Sequence, residues 1–120
     1  MTKQSDVLKD RLAQSSELTI TVTGRKSGRR ISIPIWFALE GDTLYLLPVH
    51  GSDSQWYKNV LKNPKIRIEA GGAEADVTVT PVTDAKQVKS AVERFRNKYG
   101  AGDVKKYYSK LDVAVVVRMQ

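Results

Sequence analysis

The sequence contains no cysteine and a single histidine, His50. The first absence excludes disulfides, thiolate zinc sites, iron–sulfur clusters and cysteine nucleophiles. The second leaves no histidine cluster for a metal and argues against a Ser-His-Asp type triad, so no metal site is expected. The acids stand singly and mostly in turns, which leaves paired-carboxylate chemistry of the glycosidase kind without residues to carry it. No apolar run is long enough for a membrane span, and residues 1 to 14, MTKQSDVLKDRLAQ, are too polar for a secretory signal, so a soluble cytoplasmic protein is expected. Neither a P-loop nor a Gly-x-Gly-x-x-Gly occurs, and no repeat, low-complexity tract or linker divides the chain. Its 120 residues read as one domain, 1–120.

Positive charge is what the chain has in excess: 20 Lys and Arg against 13 Asp and Glu give a formal net charge of +7. That excess is local. Residues 24 to 30, Gly-Arg-Lys-Ser-Gly-Arg-Arg, carry four cations and no acid, and residues 56 to 67 carry Lys58, Lys62, Lys65 and Arg67, again with no acid. A basic chain implies an anionic partner, and concentration in two segments points to a local anion site rather than a general coat. No recognition helix or aromatic sheet signature accompanies the charge, so nucleic acid is not expected, while the lysines of residues 86 to 106 permit weak peripheral membrane contact.

Periodicity predicts a mainly β, α+β chain with six antiparallel strands forming a small split barrel and helices packed outside. Leu8 and Leu12, four apart behind Ser5 and Asp6, predict a short N-terminal helix within 1–16, acting as a lid or edge element rather than as core. Barrel strands with one inserted helix are expected over 18–82. Leu18 to Thr23 alternates apolar and polar residues; Ile31 to Leu39 does the same, with Pro34 marking an edge or bulge. Glu40-Gly41-Asp42 turns that strand into a hairpin with Thr43 to Val49. Ser52 to Lys62 reads as a helix stopped by Asn63-Pro64, and Gly71-Gly72 joins Lys65–Ala70 to Ala73–Val82 in a second hairpin. Asp84 caps a helix over 84–99 with the stripe Val88, Ala91, Val92, Phe95 and Tyr99; a polar segment then leads to a last strand over 112–118.

Three groups of residues could carry chemistry. In Gly24-Arg-Lys-Ser-Gly28 the glycines allow a tight turn with outward amides, Arg25 and Lys26 supply charge and Ser27 a hydroxyl, a set suited to phosphate or carboxylate; it equally fits an exposed hairpin turn. From His50-Gly51 the chain enters a helix N-terminus, where free amides attract anions and Trp56 could cover an aromatic ring or simply anchor the core. The aromatics Trp36, Tyr99, Tyr107 and Tyr108 could pack a barrel rim or, for a tyrosine, donate to a substrate oxygen.

The ordered set Thr21-Val-Thr-Gly-Arg-Lys-Ser-Gly28, Ile33-Pro-Ile-Trp-Phe37, Gly41-Asp, Gly51, Trp56-Tyr-x-Asn59 and Asn63-Pro-Lys-Ile-Arg67 closely resembles the deazaflavin-dependent nitroreductase family, split β-barrel proteins that bind coenzyme F-420. The resemblance is strong over residues 18 to 80. It implies that Arg25, Lys26 and Ser27 hold the coenzyme's phosphate and acidic tail. It also implies that Ile31, Ser32, Ile33, Pro34, Ile35 and Trp36 line the site, and that Leu47, Pro48, Val49, His50 and Gly51 with Gln55, Trp56, Tyr57 and Asn59 complete it. Some relatives carry Arg and Lys where this chain has Ile31 and His50, with Arg29 and Arg30 placed to compensate.

The implied function is an F-420-dependent reductase delivering hydride to an electron-poor small molecule such as a quinone, enone or nitro compound, with Tyr99 or Tyr107 donating to the acceptor oxygen. The alternatives are an FMN-binding split-barrel oxidoreductase and a non-catalytic carrier of cofactor, lipid or haem. Strand edges that could pair leave monomer and homodimer both open.

Overall fold

The computed structural model describes residues 3–119, with side chains from Val7 onward. The chain runs α1 (Lys3–Ala13), β1 (Leu18–Thr23), β2 (Arg30–Ile35), β3 (Phe37–Glu40), β4 (Thr43–Leu46), a 3-10 turn (Gly51–Asp53), α2 (Gln55–Lys62), β5 (Lys65–Ala70), β6 (Ala73–Thr78), β7 (Thr80–Val82), α3 (Ala85–Tyr99), α4 (Ala101–Tyr107) and β8 (Ala114–Arg118).

Among the described residues the strands form two antiparallel sheets of four, ordered β2-β1-β5-β6 and β3-β4-β8-β7. Six strands were expected and eight are present among the described residues, because two of the expected strands each divide and pass from one sheet to the other. The Ile31–Leu39 run parts at Trp36, where the Phe37 N–H goes to the Tyr99 hydroxyl at 3.1 Å. The Ala73–Val82 run parts at Val79, whose N–H goes to the Pro64 carbonyl at 2.9 Å. A backbone donor satisfied outside the sheet is what lets each strand leave its ladder.

Alternation places the cores. Leu18, Ile20 and Val22 of β1 face a cluster that draws on both sheets, with Ile68, Phe37, Leu44, Leu46, Val115 and Val117. A second cluster lies where α3 and α4 cover the opposite face of the second sheet: Ala38, Leu47 and Ala114 meet Val88, Ala91, Val92, Phe95 and Val104. Lying between the two clusters, β8 is apolar on both faces, which accounts for the unbroken run Val113 to Val117. Pro34 sits on β2, an edge strand, where its missing N–H costs no ladder bond. At Gly71-Gly72, φ values of 55° and 86° make the left-handed pair that a two-residue hairpin turn requires.

Two expectations fail. The N-terminal helix is core, not lid: Leu8 and Leu12 are 0% and 1% exposed within the first cluster. Residues 101 to 107, expected as a polar segment, form α4, anchored by Val104 alone. No helix among the described residues is long and apolar enough to cross a membrane.

Candidate functional site

The basic turn is built against α2. Gln55 and Asn59, four residues apart, share a helix face and turn their amide oxygens to the loop, while Trp56, Tyr57 and Val60 face the core. The Arg25 guanidinium donates to Asn59 Oδ1 at 2.8 Å and to Gln55 Oε1 at 2.9 Å, and its backbone N–H reaches the same Asn59 oxygen at 3.1 Å. Two neutral amides therefore fix the cation without cancelling its charge. No salt bridge among the described residues involves Arg25, Lys26, Arg29 or Arg30.

The turn's amides are largely spent within the fold, contrary to the outward set expected. Gly24 N–H bonds the Arg29 carbonyl, Gly28 N–H the Gly24 carbonyl, and Arg29 N–H the Ser27 hydroxyl oxygen at 3.1 Å. The Lys26 and Ser27 amides have no partner among the described residues, and they adjoin a depression of about 360 Å³ lined by the turn, Ile31, Gln55 and Asn59. An anion here would meet two N–H groups, one hydroxyl and the Arg25 and Lys26 charges.

Farther along β2 lies a second cavity of about 320 Å³, lined by Glu17, Pro34, Ile35, Trp36, Leu47, Val49, Tyr107 and Tyr108. Three residues of strand, about 10 Å at 3.3 Å each, separate Ile31 of the first pocket from Pro34 of the second. Exposed large apolar side chains gather along the same path: Ile31, Val49 and Tyr107 are each at least 40% exposed. Such exposure is the surface mark of a ligand groove.

Other residues singled out from the sequence take structural roles. Trp56 and Tyr57 are 8% and 3% exposed in the first core cluster, so Trp56 anchors the core rather than covering a ligand ring. Gly51, with φ of 56°, is wedged beside the 109–112 segment: an added Cβ would stand 2.1 Å from Asp112 Oδ1. Asp112 accepts from the Ser52 N–H and hydroxyl, bonds that hold its carboxyl below the usual range. His50 Nδ1 lies 2.9 Å from Ser109 Oγ. Pro48 is buried and Ser32 pairs with Thr21 at 2.8 Å on the open face of the first sheet.

The tyrosines separate clearly. Tyr99, expected as a proton donor, is a strut: its ring stacks on Trp36 at 4.1 Å, and its hydroxyl accepts from Phe37 N–H and shares its one proton between the Ser16 and Phe37 carbonyls, 2.7 and 2.8 Å away. Burial pushes its phenol up to about 12. Tyr107 is half exposed at the cavity rim, and no hydrogen bond among the described residues engages its hydroxyl. Tyr108, 6% exposed, lines the cavity with a hydroxyl that also has no partner among the described residues, and burial raises its pKa. Glu17 was not expected at the site, and Tyr108 was expected only as a rim aromatic or donor, without a place among the lining residues. Their signal is faint in the sequence, since α4 has one buried apolar residue and Glu17 precedes β1 as an ordinary polar linker residue. Lys98 was also missed: it donates to the Phe37 carbonyl at 3.0 Å and lies over the Phe37 ring, and desolvation of its ammonium lowers its pKa to about 8.

Comparison with solved structures finds the same fold in proteins of different description. An F420-H2 dependent reductase (FDR-A) is 20% identical, over 86% of this chain and 94% of that one, with a TM-score of 0.67. The heme storage protein HutZ from Vibrio cholerae is 13% identical over 99% and 92%, with a TM-score of 0.70. A chain described as a domain-swapped dimer is 20% identical over 86% and 80%, at 0.68. At these identities the likeness establishes a shared split-barrel fold and no more. Matched over residues 9–119, nearly its whole length, the chain belongs to the DUF2255 family, described as uncharacterized proteins conserved in bacteria.

Proposed function

We propose that the chain is a deazaflavin-dependent reductase that uses coenzyme F-420 to reduce small electron-poor acceptors of the quinone, enone or nitro class. The observation that carries this reading is the pairing of a cationic turn, free of salt bridges among the described residues, with an aromatic cavity along one exposed edge strand, β2. The residues suit the group. A phosphodiester and glutamate tail needs fixed cations and donors, supplied by Arg25, Lys26 and Ser27 with Arg29 and Arg30 adjacent. A planar ring needs apolar walls, supplied by Ile33, Pro34, Ile35 and Trp36 with Leu47, Pro48 and Val49. Four cations on and beside one turn favour this multiply charged tail over the single phosphate of FMN.

When bound, the coenzyme supplies a hydride. The chain's own residues orient the acceptor, exclude water and offer a hydrogen bond to the acceptor oxygen. Among the described residues the Tyr107 and Tyr108 hydroxyls have no partner at the cavity, and burial raises the Tyr108 pKa, so its phenol stays protonated at neutral pH.

Titration with F-420 tests the reading. Arg25→Ala/Lys26→Ala should weaken binding by at least about tenfold, the size of losing charge-assisted bonds; unchanged affinity refutes the assignment of the turn. Turnover of a quinone panel with the reduced coenzyme then tests the activity, since binding without turnover leaves a carrier. Preferential binding of FMN, read from its absorbance, would select the flavin oxidoreductase instead.

One observation favours a haem carrier as the second reading. His50 Nδ1 is engaged by the Ser109 hydroxyl at 2.9 Å, and among the described residues Nε2 has no hydrogen-bond partner, so Nε2 is the nitrogen that could ligate an iron. A Soret band lost in His50→Ala would support haem; no band on haem addition removes it.

A further inference from the structure

The cavity beside Trp36 has a charge opposite in sign to that of the chain. Among the described residues Glu17 is the one charged residue lining it, and in a sequence with 20 Lys and Arg no salt bridge among them reaches that carboxylate. The walls facing it are aromatic and not parallel. Tyr107 stands at 80° to Trp36 with ring centroids 5.6 Å apart, and Tyr108 is inclined at 45° and 6.0 Å. Stacking on Tyr99 and the bonds of the Tyr99 hydroxyl hold the indole in place.

Ring faces of Trp and Tyr carry negative potential, and three such rings line this cavity. A carboxylate at the same space adds an attraction that strengthens as water is displaced. A simple ammonium would lose its hydration in so apolar a cavity, whereas an alkylated one brings its own apolar skin. We propose that this cavity binds an organic cation of the alkylated-ammonium or pyridinium class, held by Trp36, Tyr107 and Tyr108 with Glu17 as its counter-charge.

Two cations lie near without lining the cavity. Lys98 is turned to the Ser15 and Phe37 carbonyls at 3.3 and 3.0 Å. Lys106 lies 5.3 Å from the Tyr107 ring centre, so this ring already attracts a cation. The assignment concerns binding to the coenzyme-free chain, since the proposed function gives the same walls to the coenzyme ring and its acceptor.

The probe is choline, compared with its neutral carbon isostere, titrated into the full chain while both indole N–H signals are followed by nuclear magnetic resonance. Choline should move the Trp36 signal saturably and leave that of core-packed Trp56 in place, with the isostere binding about tenfold more weakly. Glu17→Gln, an exposed substitution, should weaken choline about threefold and leave the isostere unaffected. Equal affinity for the isostere, or no effect of Glu17→Gln, overturns the proposal. Arg25→Ala should leave choline affinity unchanged while weakening F-420, so failure of one assignment is distinguishable from failure of the other.

Discussion

The Trp36 indole lies flat on the Tyr99 ring, centroids 4.1 Å apart and planes 8° from parallel, at the point where the chain leaves one sheet for the other. A cavity wall and a topological switch thus share one aromatic pair. Tyr99 supplies to the Phe37 backbone the donor and acceptor that a neighbouring strand would otherwise provide, which holds Trp36 at the break between β2 and β3.

Tyr99→Phe should therefore act on stability more than on chemistry. It orphans the Phe37 N–H and the Ser16 carbonyl, a loss of about 1–3 kcal/mol measurable as a lower urea midpoint. Tyr107→Phe, at a half-exposed hydroxyl without a bonded partner, should stay within about 0.5 kcal/mol of the parent and instead slow acceptor reduction. The opposite pattern would make Tyr99 the donor after all.

Asn59 makes a sharper probe of the anion site than removal of the cations themselves. Asn59→Leu leaves the Arg25 guanidinium held by Gln55 alone and should weaken F-420 about tenfold. Asn59→Asp keeps the contact but pairs the charge, so it should weaken binding further still; calorimetric titration of both variants checks the order. Stronger binding by the aspartate variant would show that Arg25 is not the tail's partner.

The sequence is most informative where a single local rule decides. Strand alternation located β1 and both hairpins, because turn chemistry at Gly41 and Gly71-Gly72 and period-two burial agree there. It could not show that Trp36 and Val79 are sheet-switch points, since the partners of Phe37 N–H and Val79 N–H are Tyr99 and Pro64, distant in sequence. The turn cations were visible as residue types, whereas the consumption of the turn's amides depends on internal bonds that composition does not encode. Leu8 and Leu12 looked marginal because two leucines are a thin stripe; their burial comes from docking on β5 and β6. Tyr108 and Glu17 meet only through folding of α4 and β2 around one cavity.

If α1 is core, truncating its leucines should be costly. Leu8→Ala or Leu12→Ala should each lose about 2–5 kcal/mol by chemical denaturation, the range for emptying a fully buried leucine site. A lid would lose almost nothing.

Gly51→Ala tests the corner that joins the 3-10 turn to the 109–112 segment. Both the positive φ and the 2.1 Å approach to Asp112 Oδ1 oppose a methyl group, so a loss above about 1 kcal/mol is expected. In Gly51→Ala/Asp112→Ala the side-chain clash is relieved while φ strain and the 2.9 Å approach to the Lys110 carbonyl persist. That double variant should melt below Asp112→Ala alone, and equal melting temperatures would assign the whole cost to the Asp112 contact.

Lys98 and Tyr99, adjacent in α3, should bend the alkaline stability profile in opposite directions. Burial favours the neutral Lys98 amine, so the folded chain releases that proton near pH 8 while the unfolded chain holds it to about 10.5. Between those values the unfolded state binds more protons, and this contribution to stability rises with pH. Tyr99 keeps its proton to about 12 when folded but only to about 10 when unfolded, so above pH 10 the unfolded state binds fewer protons and stability falls. Urea midpoints measured from pH 7 to 12 should pass through a maximum near pH 10, with Tyr108 adding to the descending limb. Lys98→Met should flatten the rise and Tyr99→Phe should reduce the fall; a rise that survives Lys98→Met would assign it to another group and leave Lys98 an ordinary ammonium.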